Sequence, residues 1–199
     1  MNEQTLFFDV DTQVDFLLPV GALYVPGGEK LIPALARLTE FAARQSIPLL
    51  STADAHDPQD SEFAQWPPHC VAGTLGQKKV PETVLPGAVV IPDSAGPLPE
   101  GWQRAPQIII EKQTTDAFQT STLGRVLEAR PARRVVLYGV VMEVCVLCAA
   151  RGLLKRSVQL DIVTDAIREV DRARGDQALA ELEAAGARLV SVEQATGAR

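Results

Sequence analysis

The sequence is short of the residues that would mark a secreted, metal-finger or nucleic-acid-binding protein. Its 199 residues include only three cysteines, Cys70, Cys145 and Cys148, an odd number without finger spacing. That argues against a disulfide framework or a structural zinc cluster. It has no block of basic residues, and the formal net charge is −6. Neither nucleic acid nor an acidic membrane surface is an expected partner. No apolar run approaches the ~20 residues of a membrane span. The N-terminal stretch MNEQTLFFDVD carries acids where a signal peptide has a basic segment followed by an apolar one. A cytoplasmic, reducing setting is the expectation. Aromatics are scarce at 5%, and there are only two histidines, His56 and His69. What remains is ordinary: 46% hydrophobic and 22% charged residues, as in a globular protein. The length suits one domain, 1–199, with a full core.

Apolar runs alternate with helix-periodic segments. Leu6 to Val10 reads as a first strand, and residues 29–45 follow with apolar positions at helical spacing (Leu31, Leu35, Leu38, Phe41, Ala42). Pro48 to Thr52, Ile108 to Ile110, Val135 to Tyr138, Val158 to Val163 and Arg188 to Val192 complete six strands. Helices are expected over residues 121–129, from Glu143 to Lys155, and over 171–185. The last residues are expected to fray. Segment 53–105 is rich in Pro and Gly and irregular, apart from a short extended piece at Val89-Val90-Ile91; so long an irregular stretch is usually functional. The alternation predicts an α/β fold, a doubly wound, mostly parallel six-stranded sheet with helices on both faces.

Such sheets bind ligands beyond the C-terminal ends of their strands. Asp11, Asp54 with His56, Lys112 and Cys145 each follow a different strand, so one edge receives them all. Cys145 falls at a strand-to-helix turn, where free N–H groups and the helix dipole favour a thiolate. Asp11 is placed to act as base and then acid, with Lys112 as the cation that stabilises both. Taken singly, each reads as a solvated charge or a buried structural cysteine. A redox pair Cys145-x-x-Cys148 is a further alternative, but it leaves the other polar residues without a role.

Both histidines lie in the irregular segment, beside Asp54. One carboxylate and two imidazoles, Asp54, His56 and His69, suit a single divalent transition metal, with zinc first and iron or manganese as alternatives. Glu62 is a candidate additional or water-bridged ligand. None of Asp11, Lys112 and Cys145 is among these ligands, so metal removal is expected to leave that trio unaffected.

The motifs DTQVDF (Asp11 to Phe16), GALYVPGG (Gly21 to Gly28), DAH (Asp54 to His56), WPPHCVAGT (Trp66 to Thr74), EKQTTDAF (Glu111 to Phe118) and GVVMEVCV (Gly139 to Val146) together resemble the isochorismatase-like cysteine hydrolases, and within them the nicotinamidases. The resemblance implies a metal-dependent amidase with triad Asp11, Lys112 and Cys145 and metal ligands Asp54, His56 and His69. It implies a non-proline cis peptide at Val140–Val141 and backbone N–H groups near Val141 and Cys145 holding an oxyanion. Phe16, Trp66 and Val141 would line the substrate pocket. The substrate would be a small amide, nicotinamide first, with no nucleic acid or membrane partner; a homo-oligomer stays open. The sequence departs from the nicotinamidase pattern at Val14 and at Met142-Glu143-Val144, which bears on substrate choice. Hydrolysis of another small amide or of a vinyl ether, and a non-catalytic metal- or partner-binding module, are the competing readings.

Overall fold

The computed structural model describes residues 5–94 and 96–197. Seven strands form one parallel sheet: β1 (Thr5–Val10), β2 (Leu49–Asp54), β3 (Val89–Ile91), β4 (Gln107–Lys112), β5 (Arg134–Val140), β6 (Gln159–Arg168) and β7 (Arg188–Val190). Their order is β3-β4-β2-β1-β5-β6-β7. The seventh strand corrects the expected six. The short piece Val89–Ile91 pairs with β4 as an edge strand, and three residues are too few to announce a strand by pattern. The helices are α1 (Val14–Leu17), α2 (Ile32–Arg44), α3 (Ser121–Ala129), α4 (Leu147–Leu154), α5 (Arg172–Ala184) and α6 (Val192–Thr196). Among the described residues, no helix is long and apolar enough to cross a membrane.

Side chains alternate across the sheet, as a period of two requires. From β1, Leu6, Phe8 and Val10 join Leu123, Val126, Ala149, Leu153 and Leu182 of α3, α4 and α5 on one face. Phe7 joins Leu35, Leu38 and Ala42 of α2 and Ala195 of α6 on the other. Strands buried on both faces read as continuous apolar runs, which is why they were visible in the sequence. Two short helices were not. α1 lies between the first strand and the first helix-periodic segment, where no helix was expected. α6 stands where fraying was expected, because Ser191 and Gln194 form a capping box at its start.

The strand order reverses between β1 and β5, and a crevice opens there at the C-terminal ends. Gly139 of β5 makes the approach possible. A Cβ there would stand 2.1 Å from the Val10 carbonyl oxygen, and its φ is +120°. Only glycine fits.

Candidate functional site

Asp11 leaves β1 with a left-handed backbone, φ 51°, uncommon for a residue other than glycine. Its carboxylate is fully buried. Oδ1 accepts from Thr52 Oγ1 at 2.6 Å, and Oδ2 lies 2.9 Å from Lys112 Nζ. That oxygen has no aligned hydrogen-bond donor, so it stays free to receive a proton. Lys112, the last residue of β4, is also fully buried. Its ammonium contacts Asp11, the Oδ1 of Asp54 and, at 3.8 Å, Cys145 Sγ. Burial by itself would neutralise such a lysine. The Asp11 and Asp54 carboxylates outweigh that and hold its pKa well above the usual range.

Cys145 lies in a π-helical turn, Met142–Val146, that precedes α4. The peptide Val140–Val141 just before it is cis. The expected thiolate is not the resting form here. Burial pushes the Cys145 thiol up, Lys112 opposes, and Asp11 and Asp54 add to the rise. Burial and two carboxylates exceed one ammonium, so the thiol holds its proton until a base takes it. Cys148 is half-buried and faces a separate surface groove with Phe118, Arg151 and Lys155. Cys70 is fully buried, and burial raises its thiol as well. The three cysteines are free thiols.

The ligand atoms of Asp54, His56 and His69 lie within 4.8 Å of one another. Asp54 Oδ2 is 3.9 Å from His56 Nε2 and 3.9 Å from His69 Nε2. Each imidazole is held by its far nitrogen: His56 Nδ1 lies 2.9 Å from Asp60 Oδ2, and His69 Nδ1 lies 2.8 Å from the Pro67 carbonyl oxygen. Both Nε2 atoms are therefore left for the centre, and that of His56 is buried without a hydrogen-bond partner. Burial lowers the His69 pKa, favouring the neutral ring that binds metals. Two imidazoles and a carboxylate, oriented from behind, fit a divalent transition metal. Phe63 packs at 5.4 Å from the His56 ring and 5.8 Å from the His69 ring. Glu62 lines the adjoining cavity but is not in the close group.

This cavity, ≈ 370 Å³, is walled by Phe16, Trp66 and Val141, together with Leu23, Val144 and Val170. Asp54, His69 and Cys145 open onto it, as does Arg174 at the start of α5. Sequence reasoning missed the residues that hold the site from behind. Asp60 is one, although its place four residues after His56 was a usable signal. Asp15 is another. Its carboxylate accepts from Ala22 N at 2.9 Å and Cys70 N at 2.7 Å, pinning the loop that carries His69. Gly76 leaves room for that carboxylate, since a Cβ there would stand 2.1 Å from Asp15 Oδ2. A third is Glu143, whose Oε1 accepts from Val170 N and Asp171 N at 3.0 and 2.8 Å and so fastens the Cys145 turn to the α5 entrance.

The isochorismatase domain profile matches residues 92–194, more than half of the chain. The chain belongs to the isochorismatase family. Among relatives of this isochorismatase-family hydrolase, the nicotinamidase of Saccharomyces cerevisiae is 24% identical over 192 residues, 81% of this chain and 86% of that protein. The zinc complex of the pyrazinamidase of Pyrococcus horikoshii is 26% identical, with a TM-score of 0.77 over 94% of this chain and 99% of that one. PnC1 of L. infantum, solved with nicotinate, is 26% identical, with a TM-score of 0.73 over 95% and 93%.

Proposed function

We propose that this protein is a metal-dependent cysteine amidohydrolase of the nicotinamidase type, converting nicotinamide and water to nicotinate and ammonia. One observation carries the reading: Lys112 touches Asp11, Asp54 and Cys145 together, and Asp54 and Cys145 open onto the cavity. A buried lysine so placed costs several kcal/mol of desolvation unless paired. The nicotinamidase and pyrazinamidase relatives, one of them a zinc complex and another a nicotinate complex, support the choice of substrate and of zinc.

Asp11 Oδ2 takes the Cys145 thiol proton as sulfur attacks the carboxamide carbon. Lys112 pairs with Asp11 and steadies the thiolate. The oxyanion is held by backbone N–H groups at Val141 and Cys145. Asp11 then gives its proton to the amide nitrogen, the C–N bond breaks, and ammonia leaves a thioester on Cys145. Water attacks that thioester with Asp11 again as base, and the thiol returns as the acid product departs. Asp54, His56 and His69 would hold the metal, which when bound supplies a Lewis acid that anchors a ring nitrogen and orients the amide. Phe16 and Trp66 enclose a flat ring. In this reading the partner is a small-molecule amide, and neither nucleic acid nor membrane is one.

One observation favours a second substrate among small amides. Arg174 is the one cation lining the cavity among the described residues, and it would suit an amide with an anionic arm. Ammonia release from nicotinamide, pyrazinamide, an aliphatic amide and a ureido acid, with and without added zinc, tests both. Nicotinamide should lead. A ureido acid ahead of it would select the second substrate, and no turnover of any amide would sink the amidase reading.

A further inference from the structure

We infer that Gln13 is the positioning residue that sets the Asp54 carboxylate between Lys112 and the two histidines. The inference rests on the metal site proposed above. Asp54 is the last residue of β2. On one side it stays in the ladder, opposite Lys112 of β4. On the other side β1 has already ended: its last pair is Val10 with Thr52, and the chain turns away at Asp11. The backbone N–H and C=O of Asp54 are thus left without a strand to bond, in a part of the molecule closed to water. Gln13, itself fully buried, supplies what the strand would have. Its Oε1 accepts from Asp54 N at 2.7 Å, and its Nε2 donates to Asp54 O at 2.8 Å. The second hydrogen of Nε2 goes to Gln77 O at 2.6 Å.

A side-chain amide can mimic a strand in this way because it carries a donor and an acceptor side by side. Asparagine, one carbon shorter, would not span the same gap, and a glutamate would lack both donors. The third bond has its own consequence. Gln77 lies in the segment that follows His69, and its side chain accepts from Gly73 N at 2.8 Å and donates to Glu111 at 2.8 Å. Gln13 therefore ties the strand bearing one ligand to the loop bearing another. Asp54 must serve Lys112 with one oxygen and the metal site with the other, so a small rotation of its backbone would lose one of them. Gln13 touches neither substrate nor metal; it acts through Asp54.

The test measures zinc affinity by competition with a chromophoric chelator in wild type, Gln13→Met and Leu35→Ala, each checked for fold by far-UV circular dichroism. Leu35, on the buried face of α2, serves as the control for destabilisation without contact to the site. Gln13→Met should bind zinc about ten- to a hundredfold more weakly, as loss of a ligand's orienting partner does elsewhere, while Leu35→Ala binds like wild type. Gln13→Met within twofold of wild type overturns the inference, and so does an equal loss in Leu35→Ala, which would make affinity a mere follower of stability. A wild type that binds no zinc overturns the metal reading itself. Hydrogen exchange in unmodified protein gives a measurement that does not depend on a variant folding. The Asp54 amide should exchange as slowly as the amides within β2, and fast exchange would remove the clamp.

Discussion

Asp54 and Lys112 are register partners at the ends of β2 and β4, and their side chains form a buried ion pair. The other Asp54 oxygen faces both histidines. The triad and the metal group, separate in the sequence reading, are one electrostatic unit. Metal removal should therefore reach the nucleophile, contrary to the expectation that it would not. A cation on Asp54 withdraws negative charge from Lys112 and leaves more positive field at Cys145. Alkylation of Cys145 by iodoacetamide near neutral pH should slow several-fold on chelation. Asp54→Asn removes one of the carboxylates that raise the thiol, so it should alkylate faster than the chelated wild type while binding no metal. Identical rates in all three states would disconnect the two groups.

Proton transfer through Asp11 should be more damaging to lose than any feature of the pocket wall. Because the Cys145 thiol is raised, the resting enzyme has little thiolate and depends on a base. Asp11→Asn should cut kcat by about 10²–10⁴-fold, the range for a general acid–base group, with far-UV spectrum unchanged. Cys145→Ala should fall to background, and Cys148→Ala should keep most activity, since Cys148 opens onto another face. Equal losses at the two cysteines would revive the redox pair.

Much of this was legible because chemistry and topology left separate marks. Apolar runs gave the strands, and the polar residue after each run gave Asp11, Asp54, Lys112 and Cys145. The two histidines drew attention by their rarity. The supporting residues left weaker marks. Gln13, Asp15 and Glu143 act on backbone groups far away in sequence, and nothing in a polar side chain says which amide it will meet. The Asp54 contact with Lys112 depends on strand order and register, which no run of residues encodes. The lowered thiol pKa failed for a related reason: the helix-end argument counts one dipole, whereas burial and two carboxylates act in the opposite direction.

Acid should strip the metal through Asp54 before it does so through His69. Burial, against the pull of Lys112, raises the Asp54 pKa to about 6, whereas burial lowers that of His69. On acidification Asp54 takes its proton near pH 6, while His69 stays neutral below the ordinary histidine range of about 6.5. Zinc affinity measured from pH 7.5 to 5 should fall through about pH 6. The same raised carboxylate has a stability consequence in metal-free protein. Its folded pKa exceeds its unfolded one, so the folded state holds its proton more tightly, and stability falls as pH rises from about 4 to about 6. Affinity flat down to pH 5 would contradict the Asp54 assignment.

Lys79 and Asp9 form a second buried pair that the chemistry does not use. Lys79 Nζ lies 2.9 Å from Asp9 Oδ2 and donates to Thr12 Oγ1 at 2.8 Å. Asp9 is fully buried, in the middle of the sheet. The same carboxylate oxygen accepts from Ser51 Oγ at 3.2 Å, and Ser51 accepts from Gln107 Nε2 at 2.9 Å. Lys79 sits in the long irregular segment and bridges to Gln13, so the pair nails that segment across the ends of β1 and β2. Burial raises the Asp9 pKa although Lys79 opposes it, so desolvation is not fully repaid even in the intact pair. Removing Lys79 alone leaves a buried carboxylate with no cation, and Lys79→Met should destabilise the fold by about 3–5 kcal/mol in urea at pH 7. Asp9→Asn with Lys79→Met removes both charges and should recover a large part of that loss. The proton balance supplies an independent check. In Lys79→Met the Asp9 pKa should climb further above its unfolded value, so the deficit should shrink as pH falls and Asp9 binds its proton. A deficit that is the same at pH 5 and pH 8 would mean that the lysine acts by packing alone.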